Sequence, residues 1–355
     1  MTIDYKAKID ELISILIKED ASDLHLAEGR QPIIRVSGFL VPLLKQPVLS
    51  RVDVKGILDE LIDTKKKEEF LDKKEVDFAY DYKDLARFRG NAFFQVGKIS
   101  VALRLIPKKI RTLEELNIPK ILESFVNKQQ GFFLVVGPTG QGKSTTLASM
   151  IEMINQNRLE HIITIEDPIE YIFESKKSII DQREVYQDTP DFASALKGMF
   201  RQDVDVLMVG EMRTPETIAT AVTAAETGHL VFSTLHTNTA SQTIARIIDS
   251  FVAEQQNQIR MQLSASLLGI FSQRLVPRIS GGLIPACELL INNNAVANLI
   301  RENRIHEIDT VIETGSENGM IDLNRYLVEL VKAGEISEEN AFLHSHNQKG
   351  LERLI

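Results

Sequence analysis

"GPTGQGKSTTLASM", Gly137 to Met150, decides the fold. Its opening fits G-x-x-x-x-G-K-[ST]. The apolar run "GFFLVVG" precedes it and a helical run follows, which is the context this pattern requires. The loop Gly137, Pro138, Thr139, Gly140, Gln141 and Gly142, with Thr145 at the start of the helix, is built to surround phosphate with backbone N–H groups and a helix N-terminus. Lys143 would reach the β- and γ-phosphates, and Ser144 would ligate Mg²⁺. The loop alone leaves the use of the phosphate open: a signalling switch, a small-molecule kinase, a DNA translocase or a mechanical motor.

Working outward, "HIITIED", "DVLMVGE" and "HLVFSTLH" are three more short apolar strands, each ending in polar residues, with helical segments between them. Strands that alternate with helices predict a parallel sheet with its chemistry at the carboxyl ends. After "VLMV" comes Gly210-Glu211. Glu211 is placed to polarise an attacking water, while Gly210 offers no carboxylate where many phosphate-loop proteins carry a metal-associated acid. Glu166 and Asp167, at the end of "TIED", are expected over the same sheet edge and supply the missing acid; the sequence does not choose between them. His229 and His236 bracket "HLVFSTLH". With no third ligand nearby, zinc is disfavoured. Each is read either as structural or as a γ-phosphate or interface sensor. His344 and His346 are expected at an exposed helix end.

The chain has 355 residues, 43% hydrophobic and 26% charged, which suits a globular protein of two domains. A net charge of −9 argues against nucleic acid as a partner. The lysines at 65–67 and 73–74 read as a solvated helix face. One cysteine, Cys287, excludes an intramolecular disulfide and a zinc ribbon, and its apolar setting predicts burial. The N-terminus reads as an amphipathic helix rather than a signal peptide, and no apolar run is long enough to span a bilayer, so a cytoplasmic protein is expected. "NKQQ", 127–130, fails as a guanine-recognition element, which disfavours a GTPase.

The first hundred residues read as α+β: a helix near 4–18, short strands in "DLHLAE" and "PIIRVSGFLVPL", two helices within 50–72, then "EVDFAYDY", "LARFRGNAFFQV" and "ISVALRLIP" as strands. Gly97-Lys98 is taken as the hairpin loop between the last two, so that Val96 faces Ile99 and Asn91 faces Arg104. A linker is placed at 107–120, and the chain from 294 onward is helical.

These strings together resemble the type IV pilus retraction ATPases, the PilT-like branch of the secretion ATPase superfamily, over nearly the whole chain. They are "DASDLHLAEGRQPIIRVSG", the Asp box "EDPIEY", the Walker B region "RQDVDVLMVGEMR", the His box "TAAETGHLVFSTLHTNTA" and "RMQLSASLLGIFSQRLVPR". The last is matched to a helix joining the core to the C-terminal part. The resemblance implies a PAS-like α+β N-terminal domain (1–106), the linker (107–120), a RecA-like ATPase domain (121–293) and a C-terminal helical part (294–355). It further implies ATP and Mg²⁺ as cofactors, a homohexamer and a cytoplasmic location docked on an inner-membrane pilus platform protein. Glu211 and Lys143, helped by Glu166 or Asp167, would hydrolyse ATP, with His229 and His236 as sensors. Longer pilus-assembly or type II secretion ATPases and non-hydrolysing ring subunits are the alternatives. The retraction motif is matched in part by Ala297–Glu302. Thr214-Pro215 departs from the family's usual pair, yet Thr can cap the next helix and Pro suits its first turn.

One consequence reaches the first domain. Arg87, Arg89 and Arg104 fall on the same, polar face of the hairpin. Arginine binds phosphate oxygens bidentately, so these three are expected to complete the nucleotide site when the domains close.

Overall fold

The computed structural model describes residues 4–36, 38–83, 85–106 and 109–355. By its internal contacts the chain divides into two units, Met1–Lys109 and Ile110–Ile355.

In the first unit α1 (Tyr5–Lys18) is capped by Asp4 and buries Ile9, Leu12, Ile13 and Leu16, one stripe at helical spacing. Three strands follow: β1 (Asp23–Ala27), β2 (Ile33–Val36) and β3 (Phe39–Pro42). A capping box of Ser50 and Asp53 starts α2 (Arg51–Leu61), and Asp63 caps α3 (Thr64–Lys73), whose lysines are solvated. β4 (Glu75–Tyr82), β5 (Ala86–Gln95) and β6 (Lys98–Ile106) complete an antiparallel sheet of order β3-β2-β1-β6-β5-β4. Its apolar face, including Phe88, Ala92, Val101 and Leu103, packs with residues of all three helices into one core.

The hairpin differs from expectation. Gln95 pairs with Lys98, so the loop is Val96-Gly97, both at positive φ (47° and 73°), and Arg89, not Asn91, faces Arg104. With positive φ at both central positions the loop is of the type I′ kind, whose twist matches that of the strands, rather than one opened by glycine. The correction shifts the pairing by two, an even number, so each side chain keeps its face.

In the second unit α4 (Glu123–Val126) leads into β7 (Gly131–Val136), the phosphate loop and α5 (Lys143–Asn157). β8 (His161–Glu166), β9 (Ile179–Glu184), α6 (Phe192–Met199), β10 (Val206–Val209) and α7 (Pro215–Glu226) come next. Then come β11 (Leu230–Leu235), α8 (Ala240–Asp249), α9 (Ala253–Ser266), β12 (Leu267–Pro277) and β13 (Leu283–Ile291). α10 (Asn294–Arg301), α11 (Ile308–Thr314), α12 (Leu323–Lys332), α13 (Glu338–His344) and α14 (Gln348–Glu352) end the chain. The sheet order is β13-β12-β7-β11-β10-β8-β9, parallel except for the edge strand β13.

Three strands of this sheet, β9, β12 and β13, were not expected. "RMQLSASLLGIFSQRLVPR" is helical only through Ser266 and is then β12, paired with β7 on one side and β13 on the other. Gly269 shows why: a Cβ there would lie 2.7 Å from the Leu290 carbonyl oxygen, so the backbones of β12 and β13 meet at this point. The segment expected as a linker also belongs here in large part. Leu113 and Ile118 are buried in the core with Leu122 and Phe125. Pro107 and Lys108 lie outside the described residues. Among those residues no helix is long and apolar enough to cross a membrane.

Candidate functional site

β7 delivers the chain into its loop at the carboxyl edge of the sheet. Gly137, Gly140 and Gly142 take φ of 146°, 78° and 79°. At Gly137 a Cβ would stand 2.3 Å from the backbone oxygen of Gln273 on β12, so glycine is required by close approach as well as by φ. The Gln273 side chain then ties the loop down. Its Nε2 donates to the Gln141 carbonyl at 2.7 Å and its Oε1 accepts from Thr146 Oγ1 at 2.7 Å. Gln141 contributes more than a backbone N–H, because its Oε1 accepts the Leu275 N–H at 2.7 Å.

Lys143 is buried at the first turn of α5. Its Nζ donates to the carbonyls of Gly137 and Pro138, each at 2.9 Å. Burial lowers its pKa, against the pull of Glu170 and Glu211. Ser144 follows, half-buried, and Thr145 shares a hydrogen bond of 2.8 Å with Tyr171.

His236, directly after β11, stands beside the loop. Its Nδ1 is 3.3 Å from Lys143 Nζ and 3.4 Å from Thr139 Oγ1, and its Nε2 is 3.7 Å from Glu211 Oε2. Burial, then the Lys143 charge, lower its pKa. Glu211, two residues beyond β10, is also held by Arg213 at 2.7 Å. Gly210 has little room for a side chain: a Cβ there would press at 3.3 Å on Glu166 Cα and the Ile165 carbonyl.

The two acids left open by the sequence part company. Glu166, the last residue of β8, is buried and accepts from Thr164 Oγ1 at 2.7 Å and Gln182 Nε2 at 3.3 Å. Burial pushes its pKa up to about 7. Asp167 is exposed. His229 is not brought to the loop. It precedes β11, at the other end of a strand about 20 Å long, where its Nδ1 meets the Ala224 carbonyl at 2.9 Å and its ring packs perpendicular to Phe200.

In the first unit Arg89 and Arg104 are cross-strand partners on one face, and Arg87 lies two residues from Arg89 on the same side. Arg104 Nε donates to Asp23 Oδ1 at 2.8 Å, Arg35 Nε approaches Asp23 Oδ2 at 3.8 Å, and Arg87 Nε is 3.7 Å from Asp81. Sequence reasoning missed Asp23 and Arg35, although alternation along β1 and β2 would have put both on the arginine face. It also missed Gln273, for which no local signal exists.

Fold and site together define the class: a phosphate-loop nucleotide-binding protein of the α/β type. Within that class the chain belongs to the type II/IV secretion system protein family, whose model matches residues 5–341. It is 44% identical over 333 residues to the type IV pilus retraction ATPase PilT of Pseudomonas aeruginosa, covering 94% of this chain and 96% of that one. It is 44% identical to a twitching motility protein of Neisseria gonorrhoeae, over 90% of this chain and 86% of that one. Among solved structures, the pilus retraction motor PilT with bound ADP superposes with a TM-score of 0.92 at 45% identity, covering 97% of this chain and 99% of that one. The Legionella pneumophila ATPase DotB gives 0.83 at 26% identity, over 95% of each chain.

Proposed function

We propose that the protein is an ATP-hydrolysing motor that retracts type IV pili and so powers twitching motility. The observation that carries the reading is that His236 stands at the phosphate loop within 4 Å of both Lys143 and Glu211, in a chain so similar to retraction motors. Phosphate oxygens are the natural acceptors for the Lys143 ammonium and for the loop N–H groups. Glu211 is the general base that orients and deprotonates water, and Arg213 and His236 set the direction of its carboxylate. Glu166, neutral or charged according to pH near 7, shapes the floor beside it, and Asp167 lies next to it in the open. Magnesium, held by Ser144 with phosphate oxygens, would neutralise charge on the nucleotide; the hard oxygen donors present suit that ion.

Arg87, Arg89 and Arg104 supply further charge to the phosphates when the two units close, coupling hydrolysis to movement. The working form is a homohexamer in the cytoplasm, docked on an inner-membrane pilus platform protein and not on nucleic acid. His229, away from the loop in its own chain, is left to a contact between neighbouring copies. The test is a deletion strain scored for surface pili and twitching. Hyperpiliated, non-motile cells are expected; bald cells would mean an assembly motor instead, and absence of ATP turnover by the purified protein would sink the motor reading altogether.

A further inference from the structure

The loop between β11 and α8 is anchored on the side away from the phosphate loop. The carbonyl of Asn238 accepts the Ser272 hydroxyl from β12 at 2.8 Å and the Nε2–H of His346 at 3.1 Å. The N–H of Ala240, first residue of α8, donates to Glu288 Oε1 on β13 at 2.8 Å. Thr237 Oγ1, in the loop, is 2.6 Å from Thr243 Oγ1 on α8. Ser272 and Glu288 are cross-strand partners, so they share one sheet face, opposite to the face from which Gln273 holds the phosphate loop. His346 lies between α13 and α14, just past the end of α13 and exposed, as the sequence led one to expect. Arg274 Nη2 stands 3.4 Å from its Nδ1 and can only donate, so Nδ1 accepts and the proton sits on Nε2, where it reaches Asn238.

Two residues before Asn238 is His236, in contact with Lys143 and Thr139 and turned toward Glu211. The His236 side chain is 50% exposed, so packing around the ring does not fix it; its contacts with Lys143 and Thr139 and the backbone beneath it do. We infer that Ser272, Glu288 and His346 are positioning residues for His236, so that the C-terminal segment bearing His346 sets the geometry at the nucleotide. This rests on the proposed role of His236 at the phosphate site. The arrangement joins the last helices of the chain to the phosphate loop through one backbone carbonyl. A displacement of about 1 Å at a reacting centre can cost up to about a hundredfold in rate, so loosening that carbonyl is felt in turnover rather than in binding.

The test is steady-state ATP hydrolysis and ATP affinity of the full chain. Ser272→Ala combined with His346→Ala removes both donors to Asn238. A fall in kcat of about tenfold is expected, with KM and nucleotide affinity within about twofold of wild type. Ser272→Ala combined with His346→Gln restores a donor toward Asn238 and an acceptor for Arg274, and turnover should recover to within about twofold of wild type. Equal loss in the alanine and glutamine variants, or a wild-type rate in the alanine variant while His236→Ala is slow, overturns the inference alone. A wild-type rate in His236→Ala overturns the reading of His236 and the inference with it.

Discussion

Lys143 Nζ lies 3.3 Å from His236 Nδ1. An ammonium only donates, so that nitrogen accepts and the imidazole is neutral, with its remaining N–H directed at Glu211. The lowered pKa of His236, from burial and the Lys143 charge, agrees. A cation, a neutral imidazole and a carboxylate thus form a row along the carboxyl edges of β7, β11 and β10, and the first two predictions address its ends.

Lys143→Ala removes the cation and two bonds that close the loop on itself. Turnover should fall by about a hundredfold or more, as for loss of a major charge-stabilising donor, and nucleotide affinity should fall with it. A coupled ATPase assay and a fluorescent-nucleotide titration check this.

Glu211→Gln preserves size and the contact with Arg213 but cannot take a proton. Hydrolysis should drop by about 10²–10⁴-fold with nucleotide binding retained. Equal loss of affinity and rate would remove Glu211 from the role of base.

Glu288 gives a pH-dependent stability term. Burial pushes its folded pKa up to about 7, above the ordinary value of 4.5. Between those values the folded protein binds more protons than the unfolded chain, so this group's contribution declines as pH rises and its full cost is reached above about 7. Asp23, Asp53 and Glu152 have lowered values and act in the opposite direction. The comparison is therefore with Glu288→Gln, which keeps an acceptor for Ala240. Wild type should lose on the order of 1–3 kcal/mol relative to the variant between pH 5 and pH 8, measured by urea unfolding.

What the sequence made legible was local. Gly137 to Ser144 carries its own strand, turn and helix signals, and Thr214-Pro215 caps α7 as expected, with Thr214 Oγ1 accepting the Thr217 N–H. What it hid was non-local. Leu267–Pro277 is buried over most of its length, so it shows no alternation and reads as helix until β7 and β13 are seen on either side. Gln273 is an ordinary polar residue until β12 is placed against the phosphate loop. His229 and His236 look equivalent in sequence, yet the direction of a parallel strand puts only the second at the carboxyl edge; that signal was available. Glu166 and Asp167 differ in burial, which adjacent positions do not reveal.

Val96 is a further place where local chemistry and structure disagree. It holds φ of 47° in the Val96-Gly97 turn and is 98% exposed. A β-branched residue pays for the left-handed region without burying anything, whereas asparagine tolerates it. Val96→Asn should stabilise the protein by about 1 kcal/mol, read as a higher urea midpoint with unchanged slope. A lower midpoint would contradict the turn.

Asp23 is the key to the arginine face. It is buried, and although burial opposes ionisation, the Ser22 hydroxyl and Arg104 keep its pKa below the usual carboxylate range. It therefore stays charged and holds Arg104 through one hydrogen bond, while the Arg104 side chain remains 70% exposed. Arg89 is the partner of Arg104 across the ladder, and like charges side by side repel. The carboxylate offsets that repulsion and fixes the direction of one guanidinium. Because the Arg104 end of the pair stands in solvent, which screens the attraction, phosphate can compete for the arginine. If these arginines meet nucleotide when the units close, alanine at Arg87, Arg89 or Arg104 should lower kcat more than ATP affinity, by about tenfold or more for the most important of them. Asp23→Asn, which leaves Arg104 in place but undirected, should lower kcat less than Arg104→Ala does. Wild-type rates in all three arginine variants would end the proposal, and an Asp23→Asn rate below that of Arg104→Ala would assign Asp23 to the stability of the sheet rather than to the aim of Arg104.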